Sequence, residues 1–301
     1  MKIGIMIGAT GGPTLDGLVE KARALEKAGF DTVWLANIFG HDAIGALGIV
    51  GRETSKVELG TAVVPTYPRH PMAIGQQALT TQAAAKGRFA LGIGLSHKMV
   101  IEGMLGMSYD KPANHMREYL EVLGPLLRGE EVHYEGEQYR VNGQLDVPDA
   151  TPPQLLVAAL GPVMLSLTGR LADGTITWMC GPRTLGEHIG PRLRQAAADA
   201  GRPQPRVVAG LPVVLTDDEA GTRAKISELL TIYGQLPSYR AMLDREGVAD
   251  PADIAVVGNE AAIRAAFDTY RDLGVTDLDA AVIPVDEGAE ARTTDFLASL
   301  L

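Results

Sequence analysis

Four times along this chain an amphipathic helix ends in a glycine that leads directly into an apolar strand. The helices are Leu15–Ala28 before Gly29, Gln76–Lys86 before Gly87, Leu193–Ala200 before Gly201 and Ile263–Leu273 before Gly274. In the first, Leu15, Leu18, Val19, Ala22 and Leu25 share one helical face. Each glycine supplies the left-handed residue that stops a helix and turns the chain. Two of the strands, Val57–Val64 and Phe89–Gly94, are apolar at nearly every position instead of alternating, so both of their faces need cover, as in a parallel sheet wrapped by helices. Eight strands are predicted: Lys2–Gly8, Thr32–Ala36, Val57–Val64, Phe89–Gly94, Gln154–Leu160, Thr175–Met179, Val207–Leu215 and Asp277–Ile283. Their alternation with helices predicts an α/β fold, a (β/α)8 TIM barrel built as a single domain over 1–301. A doubly wound open sheet has the same local pattern and is the competing architecture.

Two segments interrupt the alternation. Glu131–Val141 alternates apolar and polar residues around Glu135-Gly136, which predicts a hairpin with Tyr134 and Tyr139 packed across its strands. Asp217–Val256 is too long for a simple connection and is read either as a lid or as a helical excursion that also packs against a second subunit.

Composition removes several classes of function. The chain of 301 residues has 27 Lys plus Arg against 37 Asp plus Glu, a formal charge of −10, and so lacks the basic footprint of a nucleic-acid or anionic-membrane binder. No apolar run has the length of a membrane span. The apolar start at Met1–Gly8 is short and enters a glycine-rich turn without a cleavage-site pattern. The single cysteine, Cys180, cannot form an intrachain disulfide, which suits a reducing cytoplasm. A small-molecule substrate is therefore expected.

In a barrel of this class the chemistry sits beyond the carboxyl ends of the strands. That rule nominates Gly8–Gly12, Asn37 and Ile38, Ala62–Tyr67, Gly94–Lys98, Ala158–Pro162 and Met179–Pro182. These loops are mostly Gly, Ala, Pro and short polar residues, a lining that lets a flat ring approach the backbone. They hold no metal-ligand spacing, so no metal is expected, and no Gly-x-Ser-x-Gly elbow. Gly92-Ile93-Gly94 falls short of a dinucleotide fingerprint. A borrowed redox cofactor fits such a site. At Gly161-Pro162 a proline in the first helical position would leave the next backbone N–H groups facing a phosphate, although an ordinary strand-to-helix turn reads the same way.

Taken in order and spacing, Leu59–Pro71, Arg88–Ser96, Leu156–Pro162 with Ala172-Asp173-Gly174, and Tyr233–Arg240 resemble the bacterial luciferase-like superfamily, in particular its branch using the deazaflavin coenzyme F420. The resemblance runs from about Lys2 to Leu301. It implies a (β/α)8 barrel with luciferase-like insertions, usually a homodimer, with a tricyclic ring at the barrel mouth. Carried across, Ala62 and Val63 form a bulge behind the ring, joined by a cis peptide, with Val64, Pro65 and Thr66 beside it. Gly94, Leu95, Ser96 and His97 line the fourth-strand side, and Ala158, Ala159, Leu160, Gly161 and Pro162 pass the ring and tail. Asn37 completes the cofactor-binding set.

One departure bears on the chemistry. The branch that oxidises sugar phosphates or secondary alcohols has an Asp-His pair after the second strand, and here those positions are Asn37 and Ile38. His97 then becomes the candidate catalytic residue, because an imidazole titrating near neutrality can pass a proton while hydride moves. A lone loop histidine also serves as a packing residue. Arg69 and His70 either offset an anionic cofactor tail or fix their loop, and His41 replaces the missing base only if its helix turns inward. Trp178, Met179, Met99 and Met104 read as an apolar substrate wall or as core. The leading function is hydride transfer between the deazaflavin C5 and a small organic substrate. The alternatives are an FMN-dependent monooxygenase fed by a separate reductase, and a non-catalytic flavin- or deazaflavin-binding protein.

Overall fold

A computed structural model describes residues 1–8 and 12–301. In chain order its first elements are β1 (Lys2–Met6), α1 (Leu15–Ala28), β2 (Thr32–Leu35), α2 (Ala43–Glu53), β3 (Glu58–Thr61), β4 (Val64–Pro65), α3 (Pro71–Ala84) and β5 (Phe89–Gly94). Next come α4 (Lys98–Gly103), α5 (Pro112–Leu127), β6 (Val132–Glu135), β7 (Arg140–Gly143), β8 (Gln154–Val157), α6 (Pro162–Leu171) and β9 (Gly174–Trp178). The short α7 (Pro182–Thr184) runs through a π-turn at Leu185–Ile189 into α8 (Gly190–Asp199). The chain closes with β10 (Arg206–Leu215), α9 (Glu219–Gln235), α10 (Pro237–Glu246), β11 (Val256–Gly258), α11 (Glu260–Asp272), β12 (Asp277–Val282) and α12 (Ala289–Ala298). Gly29, Gly87, Gly201 and Gly274 all adopt positive φ, so each predicted helix stop is a left-handed turn.

The strands pair in parallel in the order β12-β1-β2-β3-β5-β8-β9-β10, and β10 returns to β12 over Val208–Val213. That last register closes the ring, making a barrel and not an open sheet. The expected strand Val57–Val64 is split in two, with a cis Ala62–Val63 peptide between β3 and β4, and β4 pairs beside β5. A strand outside the predicted set, β11, pairs with β10 at Val213–Leu215.

Trp34 fills the barrel interior among Leu156, Ile176 and Val208. Two neighbouring strands make room by carrying glycine. A Cβ at Gly60 would lie 2.1 Å from the Trp34 ring and one at Gly4 2.6 Å from its Nε1. Below the indole, the Arg206 guanidinium sits 5.5 Å from the ring centroid, paired with Asp277 at 2.6 Å and Glu58, and donating to Gln154. This plug closes the amino-terminal end. The open end is at the strands' carboxyl termini.

The two interruptions resolve differently. The hairpin β6–β7 forms, but its connection is wider than a turn at Glu135-Gly136, with the Gly136 N–H donating to the Tyr139 carbonyl. Tyr134 therefore faces Val141, and the expected Tyr134–Tyr139 pair is not made. Tyr139 turns onto α5, edge-on to Tyr119 with centroids 5.7 Å apart. The buried Glu118 carboxylate of α5 accepts the N–H groups of Glu137, Gln138 and Tyr139 and so anchors the hairpin. The long segment is a helical excursion, α9 and α10 meeting at Leu236-Pro237, where proline occupies the first position of α10. Among the described residues no helix is long and apolar enough to cross a membrane.

Candidate active site at the barrel mouth

Three strand ends meet where the sequence places the ring. A Cβ on Gly94 would fall 2.8 Å from Val63 Cγ2 and 3.2 Å from the Ala158 methyl, so the ends of β4, β5 and β8 close into a surface almost without side chains. Behind it Val64, Thr66 and Ala159 are fully buried. The Thr66 N–H donates to the Gly94 carbonyl at 2.9 Å, and its hydroxyl lies 2.9 Å from His115 Nε2. His115 stacks flat on Tyr67 with centroids 3.9 Å apart, and burial pushes its imidazole below the ordinary value. Thr66 thus sets the position of Gly94 from behind, and His115, absent from the sequence-based set, sets Thr66.

Two non-glycine residues at the mouth hold left-handed backbone, Ser96 with φ 60° after β5 and Met179 with φ 53° after β9. Such conformations cost about 1–3 kcal/mol and persist where the surroundings impose them. The Tyr109 hydroxyl donates to the Ser96 carbonyl at 3.2 Å, and the Met179 N–H to the Gly210 carbonyl at 2.9 Å. The turn at Ser96 delivers His97 at the start of α4, half-buried. Burial lowers its pKa, so the ring is neutral at neutral pH.

His97 faces the excursion. Its ring lies 5.7 Å from Tyr239 of α10, which lies 5.1 Å from Tyr233 of α9, itself 6.1 Å from Trp178 at the end of β9. Four rings therefore arc across the mouth. Burial pushes both tyrosine phenols up, and they stay protonated. Sequence reasoning singled out Tyr233–Arg240 but gave these tyrosines no role. The available signal was a pair of aromatics flanking a proline between two helical stretches.

The other candidates divide by geometry. Asn37 commits its Oδ1 to the Ala43 N–H at the start of α2, while Ile38 and Phe39 stand exposed beside it. Arg69 pairs with Asp42 at 2.8 Å and His70 Nδ1 caps α3 by accepting the Met72 N–H, so both fix their loop. His41 meets the Pro13 carbonyl. The nominated Gly8–Gly12 loop lies outside the described residues at 9–11. Gly161 caps α6 without a side-chain bond, and no atom lies within 4 Å of where its Cβ would be. Among the described residues no group accepts the Val163 and Met164 N–H groups that follow Pro162. At the comparable Gly181-Pro182 start, Glu246 already accepts the N–H groups of Arg183 and Thr184. The Leu160 carbonyl before Gly161 is held by His188 Nε2 at 2.8 Å, another residue missing from the sequence-based set.

A flat floor of Val63, Gly94 and Ala158 beside an uncapped helix start fits a planar ring carrying an anionic tail. The family model described as luciferase-like monooxygenase matches residues 1–277. The chain belongs to the luciferase-like family. A Mycobacterium tuberculosis protein provisionally named a coenzyme F420-dependent oxidoreductase is 31% identical, over 77% of this chain and 72% of its own length. The 5,10-methylenetetrahydromethanopterin reductase of Archaeoglobus fulgidus is 28% identical over 78% and 70%. The solved coenzyme F420-dependent tetrahydromethanopterin reductase of Methanopyrus kandleri superposes with a TM-score of 0.82 at 20% identity, covering 99% of this chain and 97% of that one. At that identity the likeness concerns the barrel and its insertions. This luciferase-like chain is an enzyme of the oxidoreductase class.

Proposed function

We propose that the enzyme binds the deazaflavin F420 at the mouth and reduces a small organic substrate with it. The observation that supports this reading best is the convergence of Val63, Gly94 and Ala158 into one bare surface. A ring laid there meets backbone and methyl groups, with the uncapped start of α6 beside it for an anionic tail. The cofactor, when bound, supplies one hydride from C5. The protein holds the substrate against that face and excludes water through the aromatic arc, so that proximity and desolvation act together. Reduction of a C=C or C=O bond with that hydride would leave the other end of the bond in need of a proton. In this reading the imidazolium form of His97, a minority at neutral pH, would give that proton and regain one from solvent.

The test is anaerobic mixing of the enzyme, reduced deazaflavin and a simple enone such as 2-cyclohexen-1-one. Return of oxidised deazaflavin absorbance with formation of saturated ketone is expected. Oxygenated product from reduced FMN and O2, with no turnover of deazaflavin, would assign the site to the monooxygenase alternative.

A further inference from the structure

We propose that the substrate is an uncharged, apolar, conjugated carbonyl compound, taken in across a rim formed by Ile38, Phe39, Met99 and Met104 and held beneath the arc of Tyr239 and Trp178. This rests on the deazaflavin reading of the same site and narrows it to a substrate class. The first support is the rim itself. Phe39, Met99 and Met104 are 58%, 58% and 61% exposed and Ile38 43%, on the segments that leave β2 and β5 at the mouth. Scattered apolar residues on a surface need no explanation, but four exposed ones on the two loops that follow β2 and β5, both at the open end of the barrel, do. Methionine adapts its shape to an apolar ligand better than branched side chains do.

The second support is charge. An anionic substrate needs a cation that is free to meet it, and the cations on these loops are engaged. Arg69 is paired with Asp42 at 2.8 Å, Lys98 with Glu102 at 3.6 Å and Arg183 with Glu187 at 3.2 Å. A phosphate or carboxylate on the substrate would compete with these partners, and the open α6 start is taken by the cofactor tail in the same reading. A lone carbonyl oxygen needs only a hydrogen-bond donor, and the Tyr239 and His97 rings, with centroids 5.7 Å apart, bring two donors to one end of the arc. Tilted and edge-on ring contacts leave aromatic surface for a conjugated ligand.

Calorimetric titration of the protein alone tests the class with two probes of nearly equal size, 4-phenyl-3-buten-2-one and cinnamate, which exchange a methyl ketone for a carboxylate. The ketone should bind at least about tenfold more tightly. The exposed substitutions Met104→Lys and Phe39→Lys should shrink that preference without changing the melting temperature. Equal or tighter cinnamate binding, or a preference untouched by both substitutions, would overturn the proposal. Deazaflavin titrated separately keeps the two readings apart. Deazaflavin binding without ketone preference removes the substrate class alone, and ketone preference without deazaflavin binding leaves the class standing and removes the cofactor reading.

Discussion

Two residues at the end of β5, His97 and Gly94, carry the chemistry and the floor of the site. Burial holds the His97 imidazole below its ordinary 6.5, so the imidazolium is populated only as pH falls through that lowered value. If imidazolium is the donor, kcat/KM for reduction falls as pH rises above the lowered pKa. His97→Ala should flatten that limb and cut turnover by roughly 10²-fold, while deazaflavin affinity stays within about a few-fold. Stopped-flow rates across pH, beside a binding titration, separate the two effects; unchanged rates would return His97 to a packing role. Gly94→Ala tests the floor, because its Cβ would press on Val63 Cγ2 at 2.8 Å. Weaker deazaflavin binding by about tenfold or more is expected from equilibrium titration, and unaltered affinity would contradict the placement of the ring. The position of His97 was legible in the sequence because it follows a strand end directly. Tyr239 was not, since it reaches the mouth from a segment more than a hundred residues away.

Among the elements, the hairpin β6–β7 has an identifiable anchor. Burial tends to raise the Glu118 pKa, but the N–H groups of Gln138, Tyr139 and Glu137 outweigh it and hold the carboxylate below its usual range. The sign follows from linkage: this contribution is fully present above the unfolded carboxylate pKa and is lost as pH falls through the lowered folded value. Glu118→Gln should therefore cost about 1–3 kcal/mol near neutral pH and less in acid, read from urea unfolding at several pH values. A loss independent of pH would show that shape, and not charge, holds the hairpin. Helix ends and buried strands were legible because glycine punctuation and apolar runs are local signals. The split of β3 from β4 was legible only through the family resemblance, since Ala-Val has no intrinsic reason to bend. The strand β11 is too short for its apolar residues to show a period, and it exists because β10 extends past β12 and offers an unpaired edge.

For the whole molecule, closure is the property that local pattern leaves open, because a barrel and an open sheet share the same strand and helix signals. What closes it is the register of β10 with β12, supported at the floor by Arg206 between Asp277 and Glu58 under Trp34. Removing the guanidinium strands two carboxylates at the plug, so Arg206→Ala should cost about 3–5 kcal/mol in urea unfolding, and a cost below about 1 kcal/mol would show the plug to be dispensable. With the floor closed, function belongs to the open end, and the central claim is that this end is shaped for a deazaflavin. Parallel fluorescence titrations of the purified protein with oxidised F420 and with FMN test it most directly. F420 should bind at least about tenfold more tightly, a gap of about 1.4 kcal/mol, and equal affinity or a preference for FMN would overturn the deazaflavin reading.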